Sequence, residues 1–278
     1  MKSRMARTRR PLLVPLAGLA FLLLLACGGL GDQGEPPQSK GEGPGHRAQE
    51  LGLPPEQEFE IGEQAYRKVL SENRGHILPA TDPRVRKVRE IASKIVRAAG
   101  IEPLQREINL HLKGYRYDWE VNVVDSRQVN AFCLPGGKIV VYTGILPVAE
   151  NDDQLATVLS HEIAHALAHH SNERITRSET GRVSGFQEKA YDRAQESEAD
   201  HIGLFLMTFA GYDPDEAVRF WERMAQRNQG AGRPPEFLSD HPSDERRIAD
   251  MRKWAPMAKK AKQQFDAGHY KHVSDESR

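Results

Sequence analysis

The chain has 278 residues, 38% of them hydrophobic and 28% charged, which suits one medium-sized globular domain with tails and allows a real core. Acids and bases balance at 39 each, yet the first ten residues, MKSRMARTRR, hold five bases and no acid. Residues 27–278 therefore carry 34 bases against 39 acids, a net charge of −5 that argues against a nucleic-acid partner.

The basic start runs into about seventeen apolar residues, PLLVPLAGLAFLLLLAC, short for a bilayer-spanning helix and ordered like a secretory signal. Its last letters, LLAC, resemble the lipobox of bacterial lipoproteins. That resemblance implies a signal peptide over 1–26, cleavage before Cys27 and a lipid on its thiol; the alternative is an uncleaved anchor with an incidental cysteine. Cleavage leaves Cys133 with no partner for an internal disulfide. Residues 27–55, dominated by glycine, proline and polar side chains, read as a flexible tether. The folded domain is expected over 56–258, with a helix end and tail over 259–278.

EQEFEIGEQAYRKVL and DPRVRKVREIASKIVRAAG read as helices, the second with Val85, Val88, Ile91, Ile95 and Val96 at helical spacing. WEVNVVD and KIVVYTG are β-branched strands joined by SRQVNAFCLPGG, a turn-rich connection. NDDQLATVLSHEIAHALAHH reads as one long helix with an acidic first turn, and RAQESEADHIGLFLMTFAG as another that ends at Gly211. Asp213, Pro214 and Glu216 then supply an N-cap, a first-turn proline and a capping-box partner. A final helix begins after HPSDE. No internal repeat is visible, and the fold class is α+β, mainly helical, with a small sheet.

HEIAHALAHH, residues 161–170, places four histidines and a glutamate in ten positions. His161 and His165 stand one helical turn apart on one face, where two imidazoles converge on an ion at about 2.0–2.1 Å. Glu162 is placed to take the proton of a water held there, the H-E-x-x-H arrangement of zinc peptidases. The alternative is a histidine-rich surface helix. Leu155, Val158, Leu159, Ile163 and Ala164 make the surroundings apolar, however, and unpaired histidines in a core would each cost kilocalories that a metal removes. A catalytic zinc takes three protein ligands. In ESEAD, Glu196 and Asp200 are again four apart: Glu196 as ligand, Asp200 as acceptor of a ligand histidine's N–H. Glu198 points roughly the opposite way as a solvated or structural residue, with ligation the competing assignment. His169 is read as a packing or supporting group, ligation being the other reading, and His170 as a helix-terminus cation or solvent-facing group.

HEIAH, then ESEADHIG and HPSDERRI, with NAFCLPGG upstream, together resemble the gluzincins of metallopeptidase family forty-eight, which holds CAAX prenyl proteases, HtpX-type membrane proteases and periplasmic relatives such as BepA. The resemblance covers roughly residues 57–255. It implies a zincin-type domain with one Zn²⁺ per chain, Glu196 as third ligand, Asp200 beside the metal as a proton donor in some accounts, and His241 where relatives carry a histidine that approaches the metal. Arg247, in the same motif as His241, is expected either to pair with an acid and hold that loop or to be an ordinary surface arginine. Only thirty residues separate His165 from Glu196, and this hydrophilic stretch cannot span a bilayer, so a soluble domain with a small or absent lid is expected. Cys133 stands where many relatives have a small residue; it is read as small and buried, a cysteine switch being the other reading.

The expected activity is zinc-dependent hydrolysis of peptide bonds in unfolded or misassembled envelope proteins. His161, His165 and Glu196 hold the ion, Glu162 is the base, and His241 is the candidate oxyanion donor. The strand KIVVYTG, with Val140, is expected to edge the cleft and pair with extended substrate; Asn130, Gly136 and Gly137 complete the candidate substrate contacts. The expected location is a bacterial envelope, membrane-attached through the lipid; if the cell is Gram-negative, the absence of an aspartate after Cys27 points to the periplasmic face of the outer membrane. Two rivals remain: an envelope chaperone or assembly factor whose zinc site is blocked by His241, and a purely structural zinc domain, which would have no use for Glu162.

Overall fold

The computed structural model describes residues 48–110, 112–180, 185–229, 235–242 and 245–268. The expected signal segment, the lipidation site Cys27 and most of the tether lie outside the described residues. In chain order the elements are α1 (Pro55–Glu72), α2 (Pro83–Ala99), α3 (Glu102–Glu107), β1 (Glu120–Val124), β2 (Ala131–Leu134), β3 (Lys138–Tyr142), a 3₁₀ turn (Thr143–Ile145), α4 (Asp152–Leu167), α5 (His170–Thr180), α6 (Gly185–Phe209), α7 (Pro214–Gln229), α8 (Glu236–Asp240) and α9 (Glu245–Asp266). The architecture is α+β and mainly helical, as the sequence indicated.

Helix α2 starts where Asp82 accepts from the Arg84 amide and Pro83 occupies the first turn. Its buried stripe, Val85, Val88, Ile91 and Ile95, lies in the core shared by β1, α4 and α6, with Val96 packed partly against it. Helix α4 is capped by Asn151, whose side chain accepts from the Gln154 amide. The turn after α6 places Gly211 at φ +93°, with its amide on Thr208 O and that of Tyr212 on Met207 O, the expected glycine C-cap. Asp213 caps α7 by accepting from the Asp215 amide. Glu216 does not close the expected capping box: its carboxylate reaches across to Asn151 and Gln154 and ties α7 to the start of α4.

The sheet departs from the sequence expectation. Residues 131–134, assigned to a turn-rich connection, form β2, too short for a periodic signal. Strand β3 pairs parallel with β1 on one side and antiparallel with β2 on the other, giving the order β1-β3-β2. All five β3 residues are buried, Val140 completely. A central strand has both backbone edges occupied, so β3 cannot take an added peptide and Val140 is a core residue. Gly136 and Gly137 close the β2–β3 hairpin at φ +76° and +86°, backbone that glycine alone enters cheaply. A Cβ would fall 2.7 Å from the Phe59 ring at the first and 2.8 Å from the Trp119 ring at the second. The close approach that the structure shows at this pair is to the protein's own aromatics.

The long helix expected through residue 170 breaks. Helix α4 stops at Leu167, His169 enters the left-handed region at φ 55°, and α5 sets off from His170. The folded part also begins earlier than Glu56: Gln49 donates to Ala168 O, the Gly52 amide to Thr176 Oγ1 and the Leu53 amide to Asn172 Oδ1. At the other end α9 continues past residue 258, and Phe265 meets Phe209 at 5.5 Å between ring centroids. Among the described residues no helix is long and apolar enough to cross a membrane.

Candidate metal centre

Helix α4 is buried from Gln154 to Leu167 between α2, the sheet, α6 and α7, so its polar triplet His161, Glu162 and His165 lies in the core. Helix α6 is its most extensive neighbour. At Gly203 the two backbones are close: a Cβ there would stand 3.0 Å from the amide nitrogen of His161 and from the Ser160 carbonyl carbon. A side chain there would force the helices apart by a few tenths of an ångström; Glu196 and Asp200, earlier on α6, lie against His161 of α4.

The Nε2 atoms of His161 and His165 face each other at 3.1 Å. Glu196 lies 3.3 Å from the first and 3.4 Å from the second. Two imidazole nitrogens and a carboxylate thus point at one spot with little to share but a cation. A tetrahedron with arms of about 2.0–2.1 Å has edges of roughly 3.3–3.4 Å, so the donor set fits zinc. His241 adds a fourth group: its Nδ1 is 3.0 Å from Glu196 Oε2 and 3.1 Å from His161 Nε2, and ligand atoms of all four residues lie within 4.8 Å of one another. The Nε2 of His241 is turned to Glu162 Oε1 at 3.2 Å, an oxygen with no well-aligned donor.

The second layer is as buried as the first. Nδ1 of His161 faces Asp200 Oδ1 at 3.1 Å. Asp200 is gripped by Arg247, with Nε 2.6 Å from Oδ2 and Nη2 2.8 Å from Oδ1. Arg247 also donates to Pro242 O, approaches Glu196 at 3.3 Å and stacks on Trp221 at 4.1 Å. It is a buried clamp holding the His241 loop, not a surface arginine. One expectation fails here. His170 does not face solvent: it is 1% exposed, with Nδ1 2.8 Å from His165 Nδ1 and Nε2 3.0 Å from Glu198 Oε2. Of the two readings of Glu198, the structural one holds: it is buried, bonded to His170 and outside the converging ligand atoms, the break at His169 folding His170 back onto it. His169 itself is supporting, its Nδ1 2.9 Å from Glu58 and its ring stacked on Tyr115 at 3.6 Å. Sequence reasoning missed Arg174, which bonds Gln195 and approaches Glu196 at 3.8 Å from the half-exposed rim.

Burial moves the charges. Burial pushes the Glu162 carboxyl up and Glu196 adds to this, while His241 opposes it, leaving Glu162 at about 7. Burial would also raise Glu196, but the facing imidazoles of His241, His165 and His161 outweigh it and hold that carboxyl well below the usual range. The His165 imidazole is driven well below its ordinary value, chiefly by burial. For His161 the carboxylates of Asp200 and Glu196 overcome burial and raise it.

Asn130, a candidate substrate contact, is buried and donates to Asp240 Oδ2, next to His241. Further along β2, Cys133 is close enough to Glu162 to feel its charge. β2 therefore runs beside the cluster, and among the described residues its outer edge pairs with no strand.

The model of "Peptidase family M48" matches residues 86–188 and 182–255. The chain is 38% identical over 234 residues to the mitochondrial metalloendopeptidase OMA1 of Saccharomyces cerevisiae, covering 75% of this chain and 67% of that protein. It is 30% identical over 249 residues to the mitochondrial metalloendopeptidase OMA1 of Homo sapiens, covering 78% and 46%. It is also 26% identical over 199 residues to the β-barrel assembly-enhancing protease of Escherichia coli (strain K12), covering 59% and 41%. The chain thus spans about two thirds of the yeast relative and less than half of the other two.

Proposed function

Since the chain belongs to peptidase family M48, a family of zinc metallopeptidases, we propose that it is an endopeptidase in which His161, His165 and Glu196 hold the ion and Glu162 is the base. The observation that carries this reading is the convergence of those three ligand atoms, at 3.1–3.4 Å from one another, beside the buried carboxyl of Glu162. A bound zinc ion would supply the positive charge that polarises a scissile carbonyl and acidifies the attacking water. Glu162 accepts the proton of that water and returns it to the leaving amine. Asp200, itself clamped by Arg247, fixes the ring of His161. Extended substrate adds to the open edge of β2, whose backbone offers hydrogen bonds irrespective of side chain.

Unfolded or misassembled proteins of a bacterial envelope are the proposed substrates, and a lipid on Cys27 the proposed anchor. The basic start, the apolar run ending at Cys27 and the likeness to the β-barrel assembly-enhancing protease support this; the likeness to mitochondrial relatives leaves the compartment to experiment. Glu162→Gln is expected to abolish casein cleavage while zinc content stays at one per chain. Unchanged turnover would remove Glu162 as the base.

A second reading has its own observation. His241 stands where a fourth partner would, 3.0 Å from Glu196 and 3.2 Å from Glu162, as in an assembly factor with a self-blocked site. If that reading is right, His241→Ala raises turnover; if His241 assists the reaction, the same change lowers it.

A further inference from the structure

The reading of the site as a zinc centre explains His161, His165, Glu196 and Asp200 but gives no task to His170 and Glu198. Both are buried, on different helices, and both are polar. In a continuous α-helix residues five apart point about 140° away from each other, so His170 would face away from His165. The left-handed residue His169 breaks the helix, and the next imidazole returns to within 2.8 Å of His165. A non-glycine residue in that region is strained, and strain of this kind persists where the surrounding structure uses it. His169 is held there by Glu58 and by the Tyr115 ring.

The geometry points to His170 and Glu198 as positioning residues that lock His165 into its ligand orientation through a directional His165–His170–Glu198 relay. His165 turns Nε2 toward His161 and Glu196, so Nε2 is the nitrogen that offers its lone pair to a metal. The proton of the neutral ring then sits on Nδ1, which faces Nδ1 of His170 at 2.8 Å. Two imidazole nitrogens at that distance need one donor and one acceptor, so His165 Nδ1–H donates and His170 Nδ1 accepts. This leaves the His170 proton on Nε2, where it donates to Glu198 Oε2 at 3.0 Å. Each bond thus dictates the tautomer of the next ring, with a carboxylate as the end-stop. His161 reaches its carboxylate, Asp200, directly; His165 reaches Glu198 through an intervening ring.

The relay rests on the zinc reading, and the two can fail separately. In the full chain, zinc affinity is measured by chelator competition for the unaltered protein, Glu198→Gln, His170→Asn and the double variant, alongside the visible spectrum of the cobalt-loaded forms. Glu198→Gln keeps the shape but ends the relay on a neutral amide, and is expected to weaken zinc binding by about 10–100-fold and shift the cobalt bands. Because Glu198 acts through His170, the double variant is expected to bind zinc no worse than His170→Asn alone. An unaltered protein without stoichiometric zinc overturns the zinc reading. Normal zinc binding with affinity and cobalt spectrum unmoved by Glu198→Gln, or strictly additive losses, overturns the relay and leaves the zinc reading standing. Should the variants not fold, histidine ¹⁵N shifts in the unaltered zinc-loaded protein decide: His165 must carry its proton on Nδ1 and His170 on Nε2, and the opposite tautomer at either ring overturns the relay.

Discussion

Cys133 sits on β2 beside Glu162, a position that would suit a regulatory thiol. Two facts weigh against that role: the side chain is buried, and burial, reinforced by the negative charge of Glu162, pushes its thiol well above the ordinary range. The nucleophile in alkylation and exchange is the thiolate, so the native thiol is expected to be inert at neutral pH. With Cys27→Ser removing the other thiol, iodoacetamide at pH 7.5 should label the folded protein at less than about a tenth of its rate in urea, a protection that follows from burial and a scarce thiolate. Equal rates in both states would show that β2 opens and would revive the switch. At this scale the sequence was most informative where one spacing settles a direction. Four residues on a helix bring His161 to His165 and Glu196 to Asp200 on one face each, without knowledge of any other element. His170 was misjudged because its direction depends on one backbone dihedral, at His169, stabilised by Glu58, which is 111 positions away in sequence.

That dihedral joins two elements, and its cost can be tested. Removing the side chain at His169 deprives the buried Glu58 carboxylate of one partner, while Asn172 still donates to it at 2.7 Å. His169→Ala is therefore expected to lose about 1–3 kcal/mol of stability in urea titration. His169→Gly loses the same partner and the same Tyr115 stacking, but glycine enters φ 55° without strain. It should be the more stable of the two by about 1 kcal/mol. The reverse order would mean that the α4–α5 junction is not left-handed in solution. The sheet was hidden for a related reason. Apolar, β-branched residues marked β1 and β3 as strands, but strand order is set by partners: four residues of β2 between Asn130 and Pro135 carry no period, yet they take the second edge of β3 and make it the central strand.

For the whole molecule, the centre is a crosslink as much as a reaction site. Its four converging groups come from α4, α6 and the short segment after α8, and Arg247 on α9 ties Asp200 of α6 to the Pro242 carbonyl beside His241. The apolar core that surrounds it runs through α2, the sheet, α4, α6, α7 and α9 and does not need an ion to bury its surface. Stripping zinc with a chelator should therefore leave helical circular dichroism nearly intact at 25 °C and lower the unfolding temperature. A ligand that binds only the folded state at 100–1,000 times its dissociation constant adds about 2.7–4.1 kcal/mol. For a domain of about 200 residues that corresponds to a fall of roughly 5–15 °C on chelation. The midpoint should climb again with the logarithm of added zinc, and His165→Ala should abolish the response without losing the fold. A protein that carries one zinc per chain yet melts at the same temperature with and without chelator would place the ion somewhere other than between α4 and α6.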